Sequence, residues 1–484
     1  MNVAKALERH YPTFPLPIQN LLISGQGYLF KKQRFANSFD KRLRESIRRT
    51  KLSTEEFELW RLAELKRFLQ HAYDNSPYWS RTMRAAGFEP SSMTQIACIR
   101  GVPILEKSIL REQIQGIFCP VFADKKLVKV HTSGTTGSPI SLAFTYADMQ
   151  QRMAYLFRMF AMFGISHTSK SVRFSGRTLF PNAANNRIFW RYNKPMNQML
   201  MSSYDLHPAN FANYVAQLER YAPEVMDGYP SSFYVLAKYI NAEGLSGTVR
   251  PKVIMTTAET LEYYQRDEIE RAFGGCPVIN QYASSEGAPF ITQDRGGELV
   301  INEDTGIFEF VRPGTDEPAG PGEIAEMLLT SFTTHAYPLI RYRIGDTVLL
   351  PNEERRSRDW KWPVVEQIMG RQEGVLFTPE RGYVGRLDPV FKKAPMTILE
   401  CQIVQTGPMA ITLRVVPDKT GDYATFHLDG IKEELWMRLG NVEIEVEELD
   451  ELSRGANGKL AAVINLVPNE VSALANASAA SRKS

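Results

Sequence analysis

Cysteine is scarce. Four residues, Cys98, Cys119, Cys276 and Cys401, stand among 484, with no CxxC spacing and no Cys/His pairing. That pattern excludes a disulfide framework and a zinc knot, and leaves reduced thiols in packed positions. The seven histidines are dispersed as well. No uninterrupted apolar run of about 18 residues occurs, and the opening MNVAKALERHYPTFP lacks a secretory apolar region. A transmembrane segment is therefore not expected, and the reading is a cytoplasmic protein. A net charge of +3 gives no field of one sign, and no nucleic-acid partner is expected. Hydrophobic residues at 43% and charged residues at 23% are the balance of a globular chain.

The length exceeds one ordinary core and implies a large domain plus a smaller one. A basic run at 31–52 reads as a solvated helical face, with contact to a membrane surface as the other possibility. Residues 54–73 carry apolar side chains at helical spacing (Phe57, Leu59, Leu62, Leu65, Phe68, Leu69). From 147 to 282, helical patterns alternate with short apolar runs, which predicts βαβ units and a largely parallel sheet. Ligands of such sheets bind beyond the carboxyl ends of the strands, where 257–259 and 282–286 fall. Residues 298–350 read as antiparallel β, and 351–361 as a surface loop. The fold class is α/β, with a large N-terminal domain of mainly parallel sheets flanked by helices plus a β-rich portion, and a small C-terminal α+β lid. The expected divisions are 1–369 and 370–468, with 469–484 a disordered tail.

The stretch that organises the chain is TSGTTGSP, Thr132 to Pro139, between two apolar segments. Gly134 and Gly137 permit backbone angles closed to other residues, so amide N–H groups can turn inward. The hydroxyls of Thr132, Ser133, Thr135 and Thr136 add donors for a polyphosphate. It is not a Walker loop, because the GxxxxGK[ST] spacing is missing and a strand follows it. Downstream stand YASSEG (Tyr282–Gly287), YRIGD (Tyr342–Asp346), Gly370–Arg371 and Gly458–Lys459.

In this order and at these separations, the five motifs resemble the adenylate-forming superfamily, in the branch of phenylacetate-CoA ligase and the CapK-like proteins, over residues 90–465. The resemblance implies an AMP-forming ligase: a small-molecule carboxylate attacks the α-phosphorus of ATP, and the acyl group then passes to a thiol such as coenzyme A or to an amine. ATP and Mg²⁺ are the implied cofactors, with coenzyme A as a possible co-substrate. Thr132, Ser133, Gly134, Thr135, Thr136 and Gly137 would hold phosphates, and Ala258 and Glu259 would form a second adenine-contacting turn. Tyr282 would stack on adenine, with Ser285 beside it, and Glu286 would coordinate Mg²⁺. Asp346 would accept both ribose hydroxyls, Arg371 would reach ribose or phosphate, and Lys459 would be the catalytic cation.

Three departures stand out. Ser138 replaces a Lys common among relatives, the hinge reads GRQEG in place of GRxDD, and 378–388 differs from the thiol-admitting loop of coenzyme A ligases. The alternative function is therefore a nucleotide-binding, catalytically reduced homologue serving a capsule, polysaccharide or secondary-metabolite assembly. The acyl pocket is assigned by position to Gly228–Ser231 with Phe174, and no basic residue stands out as a substrate clamp. The identity of the acid, the acceptor and the oligomeric state do not follow from the sequence.

Overall fold

A computed structural model describes residues 11–36, 38–131, 140–175, 188–203, 206, 210–258, 261, 263–371, 376–378, 382–384, 387, 390, 398–417, 428–450, 452 and 463–467. The Thr132–Pro139 segment, Glu259, Glu373, Gly374, Lys459 and the tail from 469 lie outside the described residues.

Three helices open the described chain: α1 (Leu16–Phe35), α2 (Phe39–Arg49) and α3 (Thr54–Asn75). Ser53 starts α3 with a reciprocal capping box to Glu56. The basic run is not solvated throughout. Arg49 turns inward, and its Nε donates to Asp304 Oδ2 at 2.9 Å; Arg158 donates to the same oxygen at 2.6 Å. Asp304 is fully buried, so two guanidinium groups offset a charge that burial alone would make very costly.

Strands β1 (Val128–His131) and β2 (Ser141–Phe144) pair antiparallel, with His131 opposite Ser141. They flank the Gly/Ser/Thr segment, as its surroundings predict. Helix α4 (Tyr146–Ala161) follows, capped by a box between Thr145 and Asp148.

The main sheet comprises β3 (Ser171–Ser175), β4 (Trp190–Asn193), β5 (Gln198–Ser202), β6 (Val225–Gly228), β7 (Val253–Thr257), β8 (Val278–Tyr282), β9 (Ile291–Gln293), β10 (Leu299–Ile301) and, later in the chain, Val364–Val365. Its centre, β5-β3-β6-β7-β8, is parallel. The β4 edge and the β9-β10 side are antiparallel, so the sheet is mixed. Helices α5 (Phe211–Tyr221), α6 (Pro230–Ala242) and α7 (Tyr263–Ala272) alternate with the central strands. Strand alternation sorts the two faces. Met226, Ile254 and Val278 join a core that includes Tyr214, Leu236 and Ile269, whereas Val225, Val253, Met255 and Ile279 join Met159, Phe160, Trp360 and Trp362.

The β-rich portion is a second, antiparallel sheet of β11 (Gly306–Val311), β12 (Ile324–Ser331), β13 (Tyr342–Leu349) and, following β14 (Val364–Val365) in the chain, β15 (Gln367–Arg371). The smaller C-terminal portion has its own core. A hairpin of β16 (Leu376–Thr378) and β17 (Gly382–Val384) precedes β18 (Ile398–Gly407), β19 (Ala410–Pro417), β20 (Glu443–Glu448) and β21 (Val463–Asn465), arranged β20-β19-β18-β21. Helix α8 (Asp429–Leu439) buries Ile431, Leu435 and Leu439, spaced by four, against Ile403, Leu413 and Val415.

Candidate active site

Parallel strands β7 and β8 end side by side, with Thr257 opposite Gln281 and the Thr257 hydroxyl donating to the Gln281 carbonyl at 3.2 Å. Ala258, the next residue, has φ +67°. A left-handed non-glycine residue costs roughly 1 to 3 kcal/mol and is characteristic of sites where the backbone must aim at something. Tyr282 closes β8, and its hydroxyl donates to Asp346 Oδ2 at 2.8 Å. Two residues chosen from separate motifs thus touch. Asp346 sits on β13, 8% exposed, directly after Gly345 at φ +82°. Its cross-strand neighbour on β15 is Arg371, so the backbones of these two residues also meet; the Arg371 side chain lies outside the described residues.

Beyond Tyr282 the chain turns through Ala283–Gly287. The Gly287 amide donates to the Ser284 carbonyl at 3.2 Å, and the Ala288 amide donates to Ser284 Oγ at 3.1 Å. Ser285 is exposed, while Glu286 is 3% exposed. Among the described residues, no hydrogen bond or ion pair to Glu286 occurs. Its oxygens are not among the fully enclosed unpartnered atoms of the described residues, so the carboxylate stays accessible at its tip, where a hard cation could meet it. No group of three or more His, Cys, Asp or Glu among the described residues could hold a metal by itself. The remaining ligands would have to be phosphate and water oxygens.

The turn is fixed by a residue absent from the motif set. Arg152, on α4, donates through one nitrogen to the carbonyls of Gly287 at 2.8 Å and Ala288 at 3.0 Å and to Thr333 Oγ1 at 3.1 Å. Its guanidinium also lies 4.6 Å from the Phe290 ring centroid. Burial lowers its pKa to about 10, with Asp148 pulling the other way, so it stays cationic at neutral pH. The signal for it was present: an acid and a base at i, i+4 on a helix face otherwise occupied by Met149, Tyr155 and Met159. Asp148 in turn accepts from Thr145 and faces His335 Nδ1 at 2.6 Å.

Phe174, assigned by position to the acyl pocket, is 2% exposed and packs against Tyr214 and Phe233. Gly228 is required at its position, since a Cβ there would lie 2.8 Å from Phe174 Cβ. The sheet also carries a basic residue, Arg173 on β3, ion-paired to Asp227 on the neighbouring β6. Its side chain retains 40% exposure. The pair escaped notice because its members are 54 positions apart.

Residues 376–466 match the family model of the CapK C-terminal domain. Protein CapK of Staphylococcus aureus is 33% identical over 458 residues, covering 94% of this chain and 98% of its own. Phenylacetate-coenzyme A ligase of Escherichia coli (strain K12) is 28% identical over 335 residues, 67% of this chain and 73% of its own. Among solved structures, 2-hydroxyisobutyryl-CoA ligase in the postadenylation state with 2-HIB-AMP superposes with a TM-score of 0.59 at 20% identity, over 89% of this chain and 93% of that one. At that identity the likeness concerns the fold. The identity to CapK across nearly the whole of both chains shows more: this chain belongs to the adenylate-forming superfamily, in its CapK and phenylacetate-CoA ligase branch.

Proposed function

We propose that the protein is an AMP-forming ligase. It activates a small carboxylic acid with ATP, releases pyrophosphate, and passes the acyl group to a thiol such as coenzyme A or to an amine. The observation that carries this reading is the contact between Tyr282 and Asp346, drawn from two distant motifs, where β8 of the parallel sheet ends and the turn holding Glu286 begins.

In this reading Tyr282 offers a ring face to adenine, while its hydroxyl holds Asp346 in place to accept from ribose. Ala258 and Glu259 bound the base, Ser285 lines the same turn, and Arg371 reaches ribose or phosphate. Thr132, Ser133, Gly134, Thr135, Thr136 and Gly137 donate to the phosphates. Glu286 is the residue that would hold Mg²⁺, which supplies positive charge to the phosphate oxygens when bound. Lys459 brings a mobile cation between two anions, the attacking carboxylate and the α-phosphate, whose mutual repulsion otherwise opposes reaction. Carrying it on a C-terminal unit of 370–468 that moves against 1–369 couples chemistry to closure.

The test is a panel of carboxylates scored by pyrophosphate release, with and without coenzyme A and candidate amines, using the wild type and Glu286→Gln. Release with at least one acid is expected. Glu286→Gln should lower it at least ~10²-fold with an unchanged melting temperature, since the amide presents an uncharged oxygen. Wild-type release by the variant would remove the metal role. No release with any acid, alongside measurable nucleotide binding, would move the assignment to a nucleotide-binding homologue without ligase activity.

A further inference from the structure

Helix α1 is inverted relative to an ordinary surface helix. Its polar side chains face the protein: Gln19 Oε1 accepts from Arg191 Nε at 2.7 Å, Asn20 Oδ1 accepts from the Tyr192 amide at 3.0 Å, and Ser24 Oγ accepts from the Lys194 amide at 3.2 Å. These contacts dress the edge strand β4. Gly27 fits so tightly that a Cβ would lie 1.8 Å from Asn193 Oδ1, so the helix cannot roll. Ile23 is buried beside these contacts, but four large apolar residues face outward, Leu21 at 70%, Leu29 at 58%, Tyr28 at 52% and Ile18 at 43% exposure. At 100° per residue these four share one stripe with Gly25 and Lys32.

The charge beside the stripe is predominantly positive, with Asp40 and Glu45 on α2 as its acidic members and Glu45 4.0 Å from Lys41. No acidic residue occurs between Arg9 and Phe39. Lys31 and Lys32 are exposed at the end of α1, and Lys41, Arg44 and Arg48 are exposed on α2 at i, i+3 and i+7. The Lys32 ammonium lies 4.8 Å from the Tyr28 ring centroid, which puts a cation and an amphipathic ring together at one level. A protein partner's interface core would disfavour lysine, whereas apolar side chains bordered by an excess of cations match acyl chains under anionic headgroups. No helix among the described residues is long and apolar enough to cross a membrane, so the stripe would lie on the surface.

We propose that the outward face of α1, with the cationic face of α2, docks the protein on an anionic lipid bilayer. The proposal stands apart from the ligase reading and uses none of its residues.

The full chain should co-sediment at low salt with vesicles containing phosphatidylglycerol, and bind pure phosphatidylcholine at least tenfold more weakly. Leu21→Glu and Leu29→Glu should each reduce partitioning roughly tenfold, the loss expected for one buried leucine. Lys31→Glu with Lys32→Glu should weaken the salt-sensitive part at least tenfold, with melting temperatures unchanged throughout. A chain that stays in the supernatant with anionic vesicles overturns the proposal, as does binding indifferent to the leucine substitutions. Sedimentation of the lipid-free chain provides the remaining check: a dimer that Leu21→Glu dissociates would assign the stripe to a second copy and overturn the lipid assignment.

Discussion

At the scale of single residues, the most informative contact is the one from Tyr282 to Asp346. The sequence motifs suggest two separate tasks, a ring against adenine and a carboxylate against ribose. The hydrogen bond makes them one unit, because the carboxylate's orientation depends on the phenol. Tyr282→Phe keeps the ring and loses that bond, so the KM for ATP should rise about tenfold, the effect of one hydrogen bond to a charged group. Asp346→Ala should raise it further. In the double variant the two effects should fall short of adding, since Tyr282 acts through Asp346. Full additivity in a double-mutant cycle would mean that the contact contributes nothing to nucleotide binding.

At the scale of elements, the turn after β8 shows what the sequence discloses and what it withholds. Gly287 has φ +96°, and a Cβ would lie 2.6 Å from the Phe144 ring and 2.9 Å from Thr334 Cγ2. Gly287→Ala therefore meets backbone strain and two collisions at once; a fall in melting temperature of several degrees and loss of pyrophosphate release should follow together. A variant with normal stability would show that the turn can shift. The glycine was legible, as were β1, β2, β6 to β8 and helices α4 to α7, because their apolar periodicity reports a local condition. Arg152 was not read as part of the site, for its partner carbonyl at Gly287 is 135 positions away. Periodicity likewise says that Phe174 has one face on each side of a strand without saying which side is core. Strand β10 falls within the 298–350 stretch that reads as antiparallel β, whereas β9 and β14, of three and two residues, are too short to establish alternation, and nothing in the sequence joins them to the main sheet. The inversion of α1 was hidden for a related reason: a stripe of leucines looks the same in sequence whether it faces inward or outward.

For the molecule as a whole, two polar links join parts far apart in the chain, one half-buried and titratable and one fully buried. Burial would lower the pKa of His335, but the hydrogen bond and charge of Asp148, with Glu64 adding, raise it above its ordinary value. Neighbouring His71 donates from Nε2 to the His335 carbonyl at 3.0 Å, and burial holds its pKa low. A raised folded pKa contributes stability that is complete below the unfolded value, about 6.5, and is lost as pH rises through the folded value. Comparing wild type with His335→Gln isolates this contribution from that of His71, which has the opposite sign. The melting-temperature difference should be larger at pH 6 than at pH 8.5, and an equal difference at both would show that the pair does not titrate as described. The second link is Asp304 with Arg49 and Arg158. Arg49 and Asp304 stand 255 positions apart, and at roughly 5 to 20 residues per second the ribosome needs about 13 to 50 s to make the intervening chain. Throughout that interval α2 lacks the carboxylate that admits Arg49 to the interior, so the amino-terminal helices cannot dock as they emerge. Nascent chains arrested before Asp304 should remain protease-sensitive within residues 16–75, whereas chains extended through β15 should protect them. Protection in the shorter chains would mean that docking proceeds without the buried acid.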